Sequence, residues 1–185
     1  MLALVSWESR TAEVPELDVA EAYRDHGRFV AHVIQGLTGP GPQVEELLQE
    51  TFIVAHKKRQ RFDGRAAVRT WLYGIARNLS LRHNRGKRRF FGLVDRLRGQ
   101  PAPAAPTSPE QAVLESERLG QFYLALDTLP VELREVFVLY ELEEQGGAAI
   151  AELLGIPLGT VWTRLRTARE RFKKQLERRR AKEGT

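Results

Sequence analysis

The chain has 185 residues, of which 42% are hydrophobic and 29% charged, with no cysteine and a net charge of +5. This composition suits one globular domain or two small ones and excludes disulfide and thiolate chemistry, and a reducing cytoplasm is the expected compartment. No stretch approaches the roughly 20 apolar residues of a membrane helix, and the start, MLALVSWESR, lacks the basic segment of a signal peptide.

The modest net charge conceals an alternation. Residues 1–56 hold 3 basic against 9 acidic residues, and residues 57–98 hold 14 against 2. Residues 99–156 then hold 2 against 10, and residues 157–185 hold 10 against 3. The pattern suggests two modules, each with an acidic and a basic part. Basic faces attract phosphate backbones, whereas acidic faces repel them and suit a protein partner. Charge alone fits two helical bundles with solvated faces equally well.

In chain order, residues 1–17 form an N-terminal extension, expected to be disordered. Apolar residues then recur at three and four, the period of helices. A first helix is predicted over residues 18–37, with a stop at TGPGP (38–42), and a second over residues 44–60. In the second, Leu47, Leu48, Phe52 and Val54 supply packing, while Glu45, Glu46, Gln49 and Glu50 form an acidic outer face without local lysines. Such a run is commonly a solvated face; the alternative is a docking surface for a basic protein.

A turn at FDG precedes a long helix predicted over residues 66–85. Val68, Leu72, Ile75 and Leu79 fall on one stripe, with Trp71 at its edge, which marks the core side. Arg69, Tyr73, Arg77 and Ser80 project from the other side, and Asn78 lies beyond Trp71. Arginine interleaved with aromatic rings suits single-stranded nucleic acid, cations meeting phosphates and rings stacking on bases. Basic stretches flank it at 57–65, which includes Arg59, Arg61 and Arg65, and at 82–89. The bland alternative is a core helix with a solvated back.

GQPAPAAPTSP (99–109) has four prolines in eleven residues and no apolar periodicity, so it reads as a semi-extended linker. Beyond it, helices are predicted over residues 109–128, 131–143, 148–154 and 160–180. The last two make a helix-turn-helix around Gly155, with Thr160 as the N-cap of the second helix. Ile150, Leu153 and Leu154 give the first helix its apolar face, and Val161, Leu165, Ala168, Phe172 and Leu176 are the buried stripe of the second. Trp162, Thr163, Arg166 and Thr167 face outward near its start, where major-groove contacts are made, and Arg164, Arg169, Arg171, Lys173 and Lys174 suit phosphates. An ordinary helical hairpin is the alternative, against which the ten basic residues of this block argue.

Catalysis finds little support. His26, His32, His56 and His83 show no zinc-ligand spacing, and GPG (39–41) and GG (146–147) lack the context of a phosphate loop. The acids of the basic blocks, Asp63, Asp95, Glu170, Glu177 and Glu183, are too scattered for a nuclease-like cluster. No metal and no cofactor is expected.

Two segments resemble a known family. VEELLQETFIVAHKKRQRFDGRAAVRTWLYGIARN is similar to region 2, and LDTLPVELREVFVLYELEEQGGAAIAELLGIPLGTVWTRLRTARERF to region 4, of bacterial RNA polymerase sigma factors of the extracytoplasmic-function (ECF) group. Together with the helix before Thr38 the likeness covers about 150 residues, with both motifs in family order around a linker. It implies an all-α fold of two small helical domains joined by a Pro/Ala-rich linker, the C-terminal one containing the helix-turn-helix. The divisions are 1–17, an 18–98 region 2 domain, a 99–115 linker and a 116–182 region 4 domain.

The resemblance also implies roles. Glu45, Glu46, Gln49, Glu50 and Ile53 would dock on core RNA polymerase, whose β and β′ subunits are the expected partners. Arg59, Arg61, Phe62, Asp63, Gly64, Arg65, Arg69, Tyr73, Arg77 and Asn78 would open the −10 element and read it as a single strand, one flipped base being held by the 62–68 loop. Thr160, Trp162, Thr163, Arg164, Arg166, Thr167, Arg169 and Lys173 would read the −35 element as duplex. The linker would thread toward the polymerase active centre, an anti-sigma factor is an expected partner, and membrane contact is expected only through it. Arg82, Ala149 and Trp162 depart from the family pattern, so base preferences do not carry over. Two rivals differ in what they require: a helix-turn-helix regulator would bind duplex tightly without polymerase, and a processing enzyme would need a carboxylate or metal cluster.

Overall fold

The computed structural model describes residues 17–64, 66–98 and 110–183, and every regular element among them is helical. The extension before residue 17, Arg65 and the 99–109 linker lie outside the described residues. The elements are α1 (Val19–Thr38), α2 (Gln43–Lys58), a 3₁₀ turn (Arg59–Arg61), α3 (Val68–Arg98), α4 (Glu110–Asp127), α5 (Val131–Phe137), a π-helical turn (Val138–Leu142), α6 (Gly147–Leu154) and α7 (Leu158–Glu183).

Each boundary has a local cause. Asp18 caps α1, its Oδ1 accepting from Ala20 N–H at 2.8 Å and Glu21 N–H at 3.1 Å, which satisfies donors that the helix itself leaves open. α3 continues past residue 85, where the sequence predicts its end, through a charged stretch with two glycines and no proline. The helix predicted over 131–143 is not uniform: after Phe137 the backbone widens into the π turn. α6 ends in a Schellman motif. Gly155 is left-handed at φ +63, and the Ile156 and Gly155 N–H groups bond the Ala151 and Glu152 carbonyls at 3.0 and 3.2 Å. Thr160 is not the N-cap of α7. The helix begins at Leu158, because Pro157 offers its carbonyl to both Thr160 and Val161 N–H and proline favours a helix start.

α1, α2 and α3 pack on one another as a three-helix module, and α4, α5 and α6 pack on α7 as a second. The predicted stripes are largely inside: Leu72 and Leu79 of α3, Leu47, Leu48 and Phe52 of α2, and Val161, Leu165 and Ala168 of α7 are buried. Val54 and Ile75 are only half-buried. Phe122, Phe137 and Phe172 stack in a second cluster around Leu126 and Leu129.

The modules also meet each other. The main core runs from Ile34 and Leu72 into Val136, Leu139 and Ile150 without a break. α1 lies against α5 and the π turn so closely that a Cβ at Gly36 would fall 2.5 Å from a methyl of Val138, the first residue of that turn. Arg134, 5% exposed, ties the junction by donating to the carbonyls of Leu37 (2.9 Å) and Leu129 (3.1 Å) and pairing with Asp127 (2.9 Å).

Ile34, wholly buried in α1, tests the shared core. Ile34→Ala removes three carbons and leaves a cavity, so stability should fall by about 2–5 kcal/mol, read as a lowered denaturant midpoint at unchanged slope.

Candidate nucleic-acid and polymerase interfaces

Three groups of side chains were singled out by sequence, and the fold treats them differently. On α2, Glu45, Glu46 and Gln49 stand exposed, with Gln49 donating to Glu45 at 3.1 Å. Ile53, 52% exposed, adds an apolar residue to this face. Glu50 does not belong to the unmatched set: Arg82 of α3 donates to it at 2.8 Å. The arginine at 82, one of the departures, thus has a carboxylate across the module.

The second group lies on the 59–64 segment and α3. Arg61, Asp63, Gly64 and Asn78 are exposed, and Arg59 bonds back to His56 at 3.0 and 3.2 Å. Phe62 is buried, its ring 5.3 Å from that of Trp71, so it anchors the loop instead of offering a stacking surface. Beside it a recess of about 320 Å³ opens between the loop and the start of α1, walled by Phe62 and Val68 and rimmed by Asp18, Glu21 and Asp25.

The remaining α3 residues correct the sequence reading. Tyr73 (4% exposed) and Ser80 (0%) do not project outward. α3 has a second covered face, because the C-terminal module packs over it. Arg77 pairs with Glu135 of α5, which is itself buried. Arg69 lies 3.8 Å over the Phe29 ring and donates to Gln145 at 3.0 Å, a cation–π contact capped by a hydrogen bond. Burial pushes the Tyr73 phenol far above its ordinary range, with the Glu135 charge adding to the effect. Burial also raises the Glu135 carboxyl, which Arg77 pulls partly back. Burial is the largest single influence on Arg77 and disfavours its charge, but the hydrogen bond to Glu135, the Glu135 charge and Tyr73 together raise it overall.

Arg134 and Glu135 are the residues that sequence reasoning missed. Their signal is a charged pair inside LREVFVLY, an otherwise apolar run, where helical spacing leaves no solvent face for both.

The third group lies on α7. Arg166 is exposed and Arg164 half-buried, with Glu135 near enough to feel its charge. The Thr163 and Thr167 hydroxyls bond back to Gly159 and Thr163 carbonyls at 2.9 and 3.0 Å, so they must rotate to meet a base. Arg169 binds Glu141 at 2.6 Å and lies over Tyr140, and Lys173 is 4.0 Å from Glu177. Thr160 is half-buried. Trp162, 45% exposed, does not simply point away: its ring meets Tyr140 edge-on at 5.7 Å and lies across the start of α6. A Cβ at Gly147 would fall 2.5 Å from its Cζ2. Trp162, a departure from the family pattern, and Gly147 are one packing feature.

An acidic helix, an arginine-rich helix beside it and a separate helix-turn-helix define a two-domain protein of the sigma-70 type: Sigma-70 region 2 matches residues 22–90, and Sigma-70 region 4 matches residues 119–172. The chain is 31% identical to the ECF RNA polymerase sigma factor SigW of Bacillus subtilis, over 86% of this chain and 87% of that one. It is 33% identical to the RNA polymerase sigma-H factor of Pseudomonas aeruginosa, over 73% of this chain and 74% of that one. Among solved structures, the sigma factor RpoE of Bartonella quintana, crystallised with the anti-sigma factor NepR, has the same fold at a TM-score of 0.63, with 24% identity over 86% of this chain and 97% of that one. The chain belongs to the ECF family of RNA polymerase sigma factors.

The packing of Trp162 on Gly147 gives a direct test. Gly147→Ala should displace the indole, seen as a shift of the Trp162 side-chain N–H resonance. In a double-mutant cycle with Trp162→Ala the two changes should couple by about 1 kcal/mol, the alanine being harmless once the indole is gone.

Proposed function

We propose that this protein associates with core RNA polymerase through α2, directs it to a class of promoters and helps open them, acting by binding and not by catalysis. What supports this best is a complete pair of sigma-70 regions in family order, carried on relatives matched across both modules. A helix-turn-helix regulator working without polymerase needs no module like α1–α3, and is not favoured.

The α2 face of Glu45, Glu46, Gln49 and Ile53 combines charge with an exposed apolar residue, the composition of a docking surface for a basic helical partner such as the β′ subunit. The 59–64 loop with Arg69, Tyr73, Arg77 and Asn78 would take the −10 strand, and the recess beside Phe62 suits an unstacked base. α7 would enter the major groove at −35, with Arg166 and Thr163 on bases and Lys173 on phosphate. The domain limits follow as 18–98 and 116–182. An anti-sigma factor is an apt restraining partner, in keeping with the partner of the B. quintana sigma factor. Among the described residues no helix is long and apolar enough to cross a membrane, and a cytoplasmic site of action suits this role.

Transcription in vitro with purified core polymerase and genomic DNA, followed by mapping of RNA 5′ ends, tests the reading. RNAs sharing upstream motifs should appear only when both components are present; their absence would refute it.

Glu46→Lys reverses charge at an exposed position and breaks no internal contact. Binding to core polymerase should weaken at least about tenfold, since like charges juxtaposed at an interface cost several kcal/mol, while the helical circular dichroism stays the same.

On α7, Arg166→Ala should relax preference at one upstream promoter position by about 1–3 kcal/mol. Lys173→Ala should weaken all promoters alike, as a lost phosphate contact does. Competition among promoters altered singly at upstream positions separates the two patterns.

A further inference from the structure

α7 opens with two apolar side chains that the fold leaves partly in water. Leu158 is 44% exposed and Trp162 is 45% exposed. They stand four residues apart, so they are neighbours on the helix surface, and Arg166 follows one turn further on, also exposed. Of the polar residues in these turns, Thr160 is half-buried, and Thr163 donates its hydroxyl back to the Gly159 carbonyl at 2.9 Å. Gly159 adds no side chain, and a Cβ there would meet nothing within 4 Å. The exposed chemistry ahead of Arg166 is therefore largely apolar, on the turns that a helix-turn-helix presents to base edges.

The major groove offers one methyl group to such a surface, that at C5 of thymine. We propose that Leu158 and Trp162 read thymine methyl groups in the upstream duplex, so that α7 selects A·T pairs there by apolar contact and not by hydrogen bonds alone. The proposal rests on the reading of α7 as the duplex-contacting helix. Leu158 and Trp162 are about 6 Å apart along the helix axis, and successive nucleotides of a strand are about 3.4 Å apart along the duplex. Two thymines, on adjacent pairs or with one pair between them, fit the two side chains.

The indole is held in place for this contact. Its ring meets that of Tyr140 edge-on at 5.7 Å and lies against Gly147, where even a Cβ would fall 2.5 Å from its Cζ2. Arg169 covers the Tyr140 ring at 5.2 Å and is itself bound to Glu141 at 2.6 Å. A side chain already fixed by its neighbours loses little freedom on binding, and a methyl group laid on it leaves water.

The test uses the full-length protein. Duplexes bound by it with core polymerase are selected from a random pool, and each thymine of the enriched upstream motif is replaced singly by deoxyuridine, which removes only the methyl. Binding should fall about fourfold at one or two positions, the loss expected when one methyl is returned to water. At those positions the preference for thymine over uracil should vanish in Trp162→Ala or in Leu158→Ala, each at its own position, and Trp162→Phe should keep part of it. Arg166→Ala should bind all these duplexes more weakly yet keep the preference, which separates methyl reading from a general loss of affinity or fold. An enriched motif without A·T pairs, a scan without effect, or a preference that survives both alanine variants would overturn the proposal and leave the sigma-factor reading standing. A motif enriched only without polymerase would instead overturn the sigma-factor reading, and the same scan on that motif then decides the methyl reading. No enrichment with or without polymerase would overturn both.

Discussion

The close approach of α1 to the π turn after α5, at Gly36 and Val138, governs much of the remaining arrangement. Any side chain at position 36 would have to occupy the space of a valine methyl. Because none is there, α5 can settle on α1, and Val136 and Leu139 join the core of the first module. That settling brings Glu135 over Arg77, Arg134 to the end of α1 and Gln145 to Arg69.

The charge alternation acquires a second meaning from this geometry. In the sequence the acidic blocks suggest protein partners and the basic blocks nucleic acid. In the fold, the second acidic block lies on the first basic block, and Glu50 of the first acidic block lies on Arg82. Arg169 on α7 is likewise held by Glu141. The exposed pairs contribute little by themselves. Their effect is that several arginines suited to DNA are already engaged in the free chain, so affinity for DNA is measured against these internal contacts and not against water alone.

The helix order, the helix-turn-helix and the stripes Leu72/Leu79 and Val161/Leu165/Ala168 were legible in the sequence, because apolar period and turn chemistry are local properties. The second covered face of α3 was not. A period of 3.6 identifies one apolar stripe, and Tyr73 and Ser80 look polar enough to face water, yet both are buried; for Tyr73, part of the cover is Glu135, some sixty positions away. Phe62 is assigned to the −10 strand by the family resemblance alone, and its packing on Trp71, which buries it, has no local signal. Thr160 looked like a cap because threonine often is one, but the carbonyl of Pro157 had taken that place. In each case a contact from outside the local window decided the outcome.

The packing of Trp162 across Gly147 bears on how such proteins diversify. The recognition helix is not an independent cassette here, since its second outward residue leans on the helix before it. A side chain at 147 and the indole of Trp162 would compete for the same space, so the two positions are coupled. For the same reason, transplanting α7 alone onto a relative with a bulkier residue at that point would carry over the letters of the reading head without its posture; α6 has to travel with it.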